Sequence, residues 1–275
     1  MKSWFITGTS RGFGREWAVA ALERGDRVAA TARNLSSLED LGGRFGDRIL
    51  PIQLDVTDRA AAFAAVQQAR DTFGRLDVVV NNAGYGHFGM IEEITEAEAR
   101  AQIETNVFGA LWVTQAVLPI MREQGSGHIL QVSSIGGVIA VPNLGIYHAS
   151  KWALEGFSQS LHYEGAPFGI KVTLIEPGGF STDWGGASAI RSAPIPAYDV
   201  VRTQPNPIFR NVAPPARPGD PAATAQAVLA VVDADQPPLR LFLGTYPFDV
   251  AKDAYADRIA TWEKWQEVAV AAHGG

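Results

Sequence analysis

The chain of 275 residues contains no cysteine. Disulfide bonds, thiolate metal sites and cysteine nucleophiles are therefore excluded. The chain also has no excess of positive charge, because its 23 lysines and arginines are outnumbered by 29 aspartates and glutamates. The resulting net charge of -6 argues against a nucleic acid or an anionic membrane surface as a partner.

Long apolar runs are missing as well, and no stretch is apolar over a length that could span a bilayer. We expect no signal or transit peptide, because a strand pattern already begins near Ser3. The histidines have no ligand spacing, so no metal site is predicted. These absences favour a cytoplasmic protein with neither a membrane nor a nucleic-acid partner.

What the chain does contain is a regular alternation of apolar, β-branched segments with helical ones. The strand-like segments are Trp4 to Thr7, Arg27 to Ala32, Ile49 to Leu54, Val78 to Val80, Gly127 to Ser133, Lys171 to Glu176 and Leu239 to Leu243. Helical composition continues from the first strand to about Arg24 and covers Ala60 to Phe73, Glu96 to Met121 and Tyr147 to Ala166. Such alternation indicates a parallel sheet covered on both faces. We predict an α/β fold: a single doubly wound, Rossmann-type domain over residues 1–275, with a central parallel sheet of about seven strands flanked by helices.

Two segments depart from this alternation. Residues 185–220 are rich in proline, glycine, alanine and serine. A loop of that length is commonly functional, so we predict a mobile substrate loop with short helical pieces. Residues 247–275 form a predicted C-terminal helical extension. Its residues Tyr255, Ile259 and Trp262 share one helical face, which favours packing onto the rest of the domain or onto another subunit.

A glycine-rich segment lies between the first strand and the first helix. It reads Thr7-Gly8-Thr9-Ser10-Arg11-Gly12-Phe13-Gly14. Glycine permits a sharp turn and a close approach of the backbone to a ligand, and the N-terminus of the following helix offers free N–H groups to a pyrophosphate. The strand–turn–helix context therefore favours a dinucleotide site over a tight turn without a ligand.

Tyr147 and Lys151 lie four residues apart in a predicted helix, so their side chains share a face, one turn apart. The ammonium group of Lys151 is expected to lower the pKa of Tyr147 below the ordinary value of about 10 for a phenol. A tyrosine tuned in this way can exchange a proton with a carbonyl or alcohol oxygen, and Ser134 adds a hydroxyl that can polarise the same oxygen. The alternative is an ordinary pair of side chains on a helix surface.

Together these motifs resemble those of the short-chain dehydrogenase/reductase family. The glycine spacing is Gly-x-x-x-Gly-x-Gly, Asn81-Asn82-Ala83-Gly84 closes the fourth strand, Asn106 lies in Thr-Asn-Val-Phe-Gly, and Pro177-Gly178 ends the sixth strand, with Thr182 beyond. Ser134 has the family's separation of thirteen residues from Tyr147, which selects it over Ser133, to which we assign a structural role. The resemblance covers roughly Ser3 to Thr182 and the expected last strand.

The resemblance implies that the catalytic residues are Asn106, Ser134, Tyr147 and Lys151. Tyr147 would protonate the substrate oxygen, Lys151 would also hold the nicotinamide ribose, and Asn106 would hold a water near the lysine. Asn106 can alternatively be a helix-interior side chain bonded to backbone, and both roles are compatible. The implied cofactor-binding residues are Gly8, Ser10, Arg11, Gly12, Phe13, Gly14, Arg33, Asp55, Val56, Asn82, Ala83, Gly84, Tyr147, Lys151, Pro177, Gly178 and Thr182.

The charge that follows the second strand indicates which cofactor is preferred. Sites for NAD usually carry an acid there, which accepts a hydrogen bond from the ribose 2′-hydroxyl. Here the segment reads Ala30-Thr31-Ala32-Arg33-Asn34, without an acid. A 2′-phosphate attracts cations, which Arg33 and Arg11 can supply. The alternative is that both are solvated surface charges. We predict NADP(H), preferred over NAD(H).

The segments around the predicted catalytic residues are largely apolar and carry no group of basic residues that would suit an acidic substrate. The predicted substrate contacts are His87, Ile135, Leu144 and Trp184. We predict reduction of a lipophilic ketone or aldehyde by NADPH. The alternatives are oxidation of a lipophilic secondary alcohol by the same residues and a non-catalytic, nucleotide-sensing protein. The resemblance also implies a homodimer or homotetramer, assembled through the helices at 96–121 and 147–166.

Overall fold

The computed structural model of the protein describes residues 1–274 and contains a parallel sheet of seven strands. The strands of this sheet are β1 (Ser3–Ile6), β2 (Arg27–Ala32), β3 (Ile49–Gln53), β4 (Val78–Asn81), β6 (Gly127–Val132), β7 (Ile170–Pro177) and β9 (Arg240–Leu243). Their order is β3-β2-β1-β4-β6-β7-β9, and every neighbouring pair is parallel. The order reverses between β1 and β4, which opens a crevice at the carboxyl ends of the strands. The prediction of a doubly wound α/β fold is confirmed.

Helices cover both faces of the sheet. They are α1 (Gly12–Glu23), α2 (Glu39–Phe45), α3 (Arg59–Phe73), α4 (Glu96–Ile103), α5 (Gly109–Gln124), α6 (Gly145–Gly165), α7 (Asp199–Arg202), α8 (Thr224–Asp233), α9 (Pro247–Lys264) and α10 (Gln266–Ala271). Successive residues of a strand point to opposite faces. In β1, Trp4 and Ile6 pack in the core beside α1, α2 and α8, whereas Phe5 packs in the core beside α3, α5 and α6.

Several helix ends are encoded locally. The carboxylate of Asp58 accepts from the backbone N–H of Ala61 at 2.9 Å and caps the start of α3, and Gly74, in the left-handed region at φ 80°, ends the helix. Thr95 and Glu98 form a reciprocal capping box at the start of α4. These short-range signals account for the good agreement between the predicted and observed positions of the main helices.

The predicted long helix from Glu96 to Met121 is observed as a continuous helical run over residues 96–124, with an internal change of hydrogen-bond register. A π-helical segment, Glu104–Phe108, separates α4 from α5. Two helices were not predicted at all: the short α2, and α8, whose residues Val228, Val231 and Val232 are buried in the core beside α1.

The segment from 185 to 220 does contain short pieces, as predicted. These are a strand β8 (Ile190–Arg191), the one-turn helix α7 and two 3₁₀ turns, Pro196–Tyr198 and Pro207–Phe209. The segment is also tied to the body of the domain. Strand β8 pairs in parallel with β5 (His87–Phe88), and the guanidinium of Arg202 bonds the buried carboxylate of Glu93. The predicted mobility of the loop stays a prediction.

The C-terminal extension is helical, as predicted, but its apolar face does not pack onto the domain. The start of α9 is buried at Val250 and Ala251. Farther along the helix, Asp257 pairs with Arg210 at 2.9 Å, and the guanidinium of Arg258 lies 5.1 Å from the centroid of the Trp152 ring. The side chains of Tyr255, Ile259 and Trp262 are 40%, 46% and 60% exposed. Packing of this face onto another subunit stays a prediction. Across residues 1–274, none of the helices combines the length and apolarity required to cross a bilayer.

Candidate active site

A cavity of about 1000 Å³ opens at the carboxyl ends of the strands, where the strand order reverses. Its wall includes the glycine-rich turn, the residues after β2, β3 and β4, and the face of α6 that carries Tyr147 and Lys151. Of the residues predicted to bind cofactor or substrate or to catalyse, all line this cavity except Gly14 and Asn106. Tertiary folding therefore brings together a set that is spread over residues 8 to 184.

The glycine-rich turn is held in place by the segment after β4. The hydroxyl of Thr7 accepts from the backbone N–H groups of Asn82 (3.0 Å) and Ala83 (2.9 Å). The side-chain amide of Asn82 in turn donates to the carbonyls of Thr7 and Gly8, at 2.9 and 3.0 Å. Asn82 thus lines the cavity, but its side chain is committed to shaping the turn.

Glycine is required at two positions of this turn. Gly8 has φ 70°, and a Cβ added there would lie 3.0 Å from Cα of Ala83. A Cβ at Gly14 would lie 2.5 Å from the carbonyl oxygen of Gly8. Gly14 therefore acts through the packing of the turn and not at the cavity wall.

The start of α1 fits an anionic group. The helix begins at Gly12 directly on the cavity, and no side chain caps its N-terminus. The backbone N–H groups of the first turn are therefore free to bind a ligand, and the helix dipole favours a negative charge there. The residues present fit the pyrophosphate of a dinucleotide.

The two arginines predicted to select the cofactor differ in their surroundings. Arg33 is exposed at the cavity wall directly after β2, and no carboxylate within residues 1–274 pairs with its guanidinium. Arg11 pairs with the carboxylate of Asp183 at 2.7 Å, and both side chains are about half exposed. An exposed pair of this kind contributes little free energy, so Arg11 stays available to a phosphate.

The residues after β3 and β7 shape the cavity wall through their own local bonds. The carboxylate of Asp55 accepts from the backbone N–H (3.0 Å) and the hydroxyl (2.8 Å) of Thr57. The N–H of Gly178 donates to the carbonyl of Leu243 at 2.8 Å, and the hydroxyl of Thr182 accepts from the N–H of Trp184 at 3.4 Å. Asp55, Gly178 and Thr182 all face the cavity, where a ligand could reach them.

The predicted catalytic trio meets at one end of the cavity. Tyr147 and Lys151 lie one turn apart on α6, with side chains 5% and 7% exposed. The ammonium group of Lys151 lies 5.8 Å from the centroid of the Tyr147 ring and donates to the carbonyl of Val132 at 2.8 Å. Ser134 lies two residues after the end of β6, and its hydroxyl accepts from the N–H of Gly136 at 3.0 Å.

The expected lowering of the Tyr147 pKa is wrong for the chain by itself. Burial raises the pKa of Tyr147 to about 12, and the neighbouring Ser134 hydroxyl only partly opposes this rise. Burial also lowers the pKa of Lys151 to about 8, against the attraction of Glu155. The physical reason is desolvation: both groups lose water, which disfavours the phenolate of one and the ammonium of the other.

Asn106 lies in the π-helical segment and is almost fully buried. Its carbonyl oxygen accepts from the N–H of Tyr85 at 3.1 Å, and its amide donates to the carbonyl of Tyr85 and to the hydroxyl of Ser150, both at 3.1 Å. The side chain therefore bonds to backbone, which is the structural role that the sequence analysis gave as its alternative. A π-helical turn frees backbone carbonyls from regular pairing, and such turns are frequent at functional sites.

Aromatic side chains enclose the cavity beside Tyr147. The Trp184 ring lies 5.0 Å from that of Tyr147 and 5.3 Å from that of Phe88, between centroids. A Cβ on Gly86 would lie 2.6 Å from Trp184, so only glycine leaves space for this ring. Of the predicted substrate contacts, His87, Ile135 and Leu144 line the same region.

Several residues of the cavity were missed by sequence reasoning. The chain brings Asn206, Ile208, Phe209 and Tyr246 to the wall from the loop and the C-terminal region. The ring of His148 bonds the carbonyl of Gly136 (2.9 Å) and the N–H of Val141 (3.1 Å), which fixes the segment after Ser134. These residues carry no motif, and only the fold brings them close.

A comparison with protein-family profiles matches residues 2–190 to the short chain dehydrogenase family. The match covers more than half of the chain. The chain belongs to the short-chain dehydrogenase family. It is accordingly an oxidoreductase, and the resemblance drawn from the motifs is confirmed.

Relatives and solved structures agree with this assignment. The chain is 43% identical to oxidoreductase BOA17 of Botryotinia fuckeliana over 98% of this chain and 99% of the relative. It is 44% identical to a 3-ketodihydrosphingosine reductase of Bacteroides thetaiotaomicron over 64% of this chain and 63% of that protein. The crystal structure of a short-chain dehydrogenase from Streptomyces avermitilis superposes with a TM-score of 0.90 at 39% identity, covering 99% of this chain and 100% of that one. A short chain dehydrogenase from Burkholderia cenocepacia, in complex with NADP, has a TM-score of 0.74 at 27% identity, covering 96% and 98%.

Proposed function

We propose that this short-chain dehydrogenase uses NADPH to reduce a lipophilic ketone or aldehyde to the alcohol. One observation carries the proposal: Ser134, Tyr147 and Lys151 lie at one end of the cavity that the uncapped start of α1 also faces. A proton donor and an anion-binding helix terminus in one crevice suit a dinucleotide and a carbonyl compound side by side.

The nicotinamide cofactor is supported by the similar structure that binds NADP and by the fit of the α1 N-terminus to a pyrophosphate. The preference for NADPH is supported by charge. Arg33 is exposed at the cavity wall where NAD sites usually carry an acid, and Arg11 lies within the same wall. Cationic side chains bind a 2′-phosphate through charge-assisted hydrogen bonds.

The bound cofactor supplies the hydride, and the residues of the chain handle the proton and the orientation of the substrate. Ser134 polarises the carbonyl oxygen, and Tyr147 gives that oxygen a proton from its hydroxyl. The raised pKa of Tyr147, about 12 in the chain alone, keeps this hydroxyl protonated and ready to donate. Lys151 supplies the positive charge that stabilises the phenolate formed when the proton has left.

The substrate class is inferred from the wall of the cavity near Tyr147. Trp184, Ile135 and Leu144 are apolar, and burial lowers the pKa of His87, which disfavours a charge on its ring. Such a wall favours a lipophilic compound over a phosphorylated or acidic one. The relative named as a 3-ketodihydrosphingosine reductase is consistent with reduction of a keto group.

The test is oxidation of NADPH and NADH by the purified protein with a panel of lipophilic ketones and aldehydes. We expect turnover with NADPH preferred. Activity only with alcohols and the oxidised cofactor would replace the reductase by the alcohol dehydrogenase alternative, which uses the same residues. Tight NADPH binding without turnover in either direction would favour the nucleotide-sensing alternative and contradict the proposal.

The oligomeric state and location belong to the same proposal. We expect a homodimer or homotetramer in the cytoplasm, with no nucleic-acid or membrane partner. Large side chains on the predicted assembly helices support association, since Trp152 and Tyr163 of α6 are 40% and 66% exposed. Light scattering of the purified protein measures the mass, and a monomer at micromolar concentration would contradict this part.

A further inference from the structure

Two carboxylic acids are buried together behind the catalytic end of the cavity. Glu155 lies on α6, one turn after Lys151, and Glu176 lies on β7, directly before Pro177. Their exposed fractions are 6% and 0%. Neither residue was singled out by its sequence context, and neither has a part in the proton transfer proposed above.

A single cation faces both acids. The Nε atom of Arg240, on β9, lies 2.9 Å from Oε2 of Glu155 and 3.4 Å from Oε1 of Glu176. The other end of this guanidinium donates to the side chain of Gln159 at 2.9 Å. If both acids were ionised, they would share this one arginine, and Lys151 would face only Glu155.

The hydrogen bonding of the acids is also incomplete. Oε1 of Glu155 and both carboxylate oxygens of Glu176 have no donor among residues 1–274, and the hydroxyls of Ser133 and Ser158 are likewise buried without a partner. Oε1 of Glu155 and the Ser133 hydroxyl both lie beside Gly137, where an added Cβ would come within 3.1 and 2.5 Å of them. An unsatisfied buried acceptor is costly, and a proton held between two carboxyl groups satisfies two acceptors at once.

The electrostatics of the pair agree with a bound proton. Burial first, and then the charge and hydrogen bond of Glu155, raise the pKa of Glu176 to about 9, whereas Arg240 opposes the rise. Two acids in contact cannot both ionise without strong repulsion. The charged groups facing the pair are Arg240 from β9 and Lys151 from α6, and Ser133, Ser158 and Gln159 add only neutral side chains.

The same pair acts on Lys151. Burial lowers the pKa of this lysine to about 8, and Glu155 is the group that opposes the loss of its charge. Without a negative charge one turn away, the buried ammonium of Lys151 would lose its proton at a lower pH. A positive charge is what the proposed stabilisation of the Tyr147 phenolate requires.

We propose that Glu155 and Glu176 hold one proton between them in the folded protein, and that the single negative charge left on the pair keeps Lys151 protonated. Glu155 and Glu176 are thus positioning residues, which act on the reaction only through the lysine. The first half of this proposal is independent of the activity. The second half rests on the proposed function.

The bound proton makes stability depend on pH. The pKa of Glu176 is raised from the usual value of 4.5 in the unfolded chain to about 9 in the folded one. Between these two values the folded protein holds a proton that the unfolded chain has released. The stabilisation is therefore complete below the unfolded value and is lost as the pH rises through the window towards 9.

Glu176→Gln tests the bound proton, because glutamine can donate to Glu155 without taking up a proton. The folding equilibrium constant is measured by urea denaturation between pH 5 and 9 for wild type and variant. We expect the folding equilibrium constant of the wild type, divided by that of the variant, to fall by about tenfold for each pH unit between the unfolded and folded pKa values of Glu176. A ratio independent of pH would show that Glu176 is ionised and would overturn the proposal. Glu164→Gln, at an exposed position of the same helix, is the control for the change of charge.

The pH profile of kcat tests the action on Lys151. Glu176→Gln keeps one negative charge on Glu155. The alkaline limb, which is the fall of kcat at high pH, should therefore occur at the same pH as in the wild type. The double variant Glu155→Gln/Glu176→Gln removes that charge, and we expect the limb to move down by roughly one pH unit with KM for the ketone unchanged. An unmoved limb in the double variant would refute the role toward Lys151, even where the proton of the pair is confirmed.

A stability cycle keeps the second half testable without turnover. Lys151→Met, Glu155→Gln and their combination are compared by urea denaturation at pH 7. We expect the two changes to be non-additive by roughly fivefold in the folding equilibrium constant, since each removes the partner of the other. Additive effects would overturn the coupling. Absence of turnover in the wild type would count against the proposed function alone.

Discussion

Replacing Tyr147 with phenylalanine is expected to lower kcat by roughly 100- to 10,000-fold, the usual contribution of a positioned general acid. The substitution removes the one hydroxyl on α6 that can protonate the substrate oxygen next to Ser134. The ring remains and continues to pack against Trp184, whose centroid lies 5.0 Å away. We therefore expect the dissociation constant of NADPH to change little. Steady-state kinetics and a fluorescence titration of NADPH binding check the two parts.

Tyr163→Phe is the matched control for this variant. Tyr163 lies on the same helix, but its side chain is 66% exposed and does not line the cavity. The same chemical change there should leave kcat and NADPH binding as they are. If Tyr147→Phe retained wild-type turnover, the assignment of the proton donor would be wrong, and with it the proposed mechanism.

Arg33→Ala is expected to weaken NADPH binding by roughly tenfold or more while leaving NADH binding nearly unchanged. A hydrogen bond to a charged group contributes about 1.5–3 kcal/mol, and about 1.4 kcal/mol corresponds to a factor of ten. The lower end applies here, because Arg33 is exposed and its charge is screened by solvent. Isothermal titration with both cofactors measures the difference directly.

The control for this prediction is Arg122→Ala, near the end of α5. It removes the same charge from an exposed position that does not line the cavity. The affinities for NADPH and NADH should therefore both change little and by the same factor. Equal weakening of NADPH and NADH by Arg33→Ala would show that this arginine does not contact the 2′-phosphate. NADPH preference that survives in Arg33→Ala and disappears in Arg11→Ala would transfer that role to Arg11.

Most of the sheet was predictable, because each strand carries a short apolar run whose composition is a local property. The predicted segment Arg27 to Ala32 is identical to β2, and Val78 to Val80 lies within β4. The π-helical segment at Asn106 could not be predicted in this way. A single-turn change of hydrogen-bond register leaves the apolar spacing of the flanking helices almost unchanged. Asn106, within this segment, bonds Tyr85 and Ser150, which lie far from it in the chain.

The C-terminal helix shows what a local pattern leaves open. The spacing of Tyr255, Ile259 and Trp262 correctly predicts one apolar face, since helical periodicity is local. Whether that face meets the domain depends on where α9 leaves the body, which no local pattern records. The helix is buried at its start, at Val250 and Ala251, and farther along it meets the body through polar residues, with Arg258 on the Trp152 ring and Asp257 paired with Arg210.

The sequence by itself determined the family and the parallel sheet, and it singled out the proposed catalytic trio. These depend on short spacings: the glycines of one turn, and Tyr147 and Lys151 on one helix. Only the tertiary structure decided how these groups behave, because burial and charge depend on residues far apart in the chain. It pairs Arg11 with Asp183, places Trp184 over Tyr147, and withdraws Tyr147 from water, which raises its pKa where the local pattern alone predicted a fall.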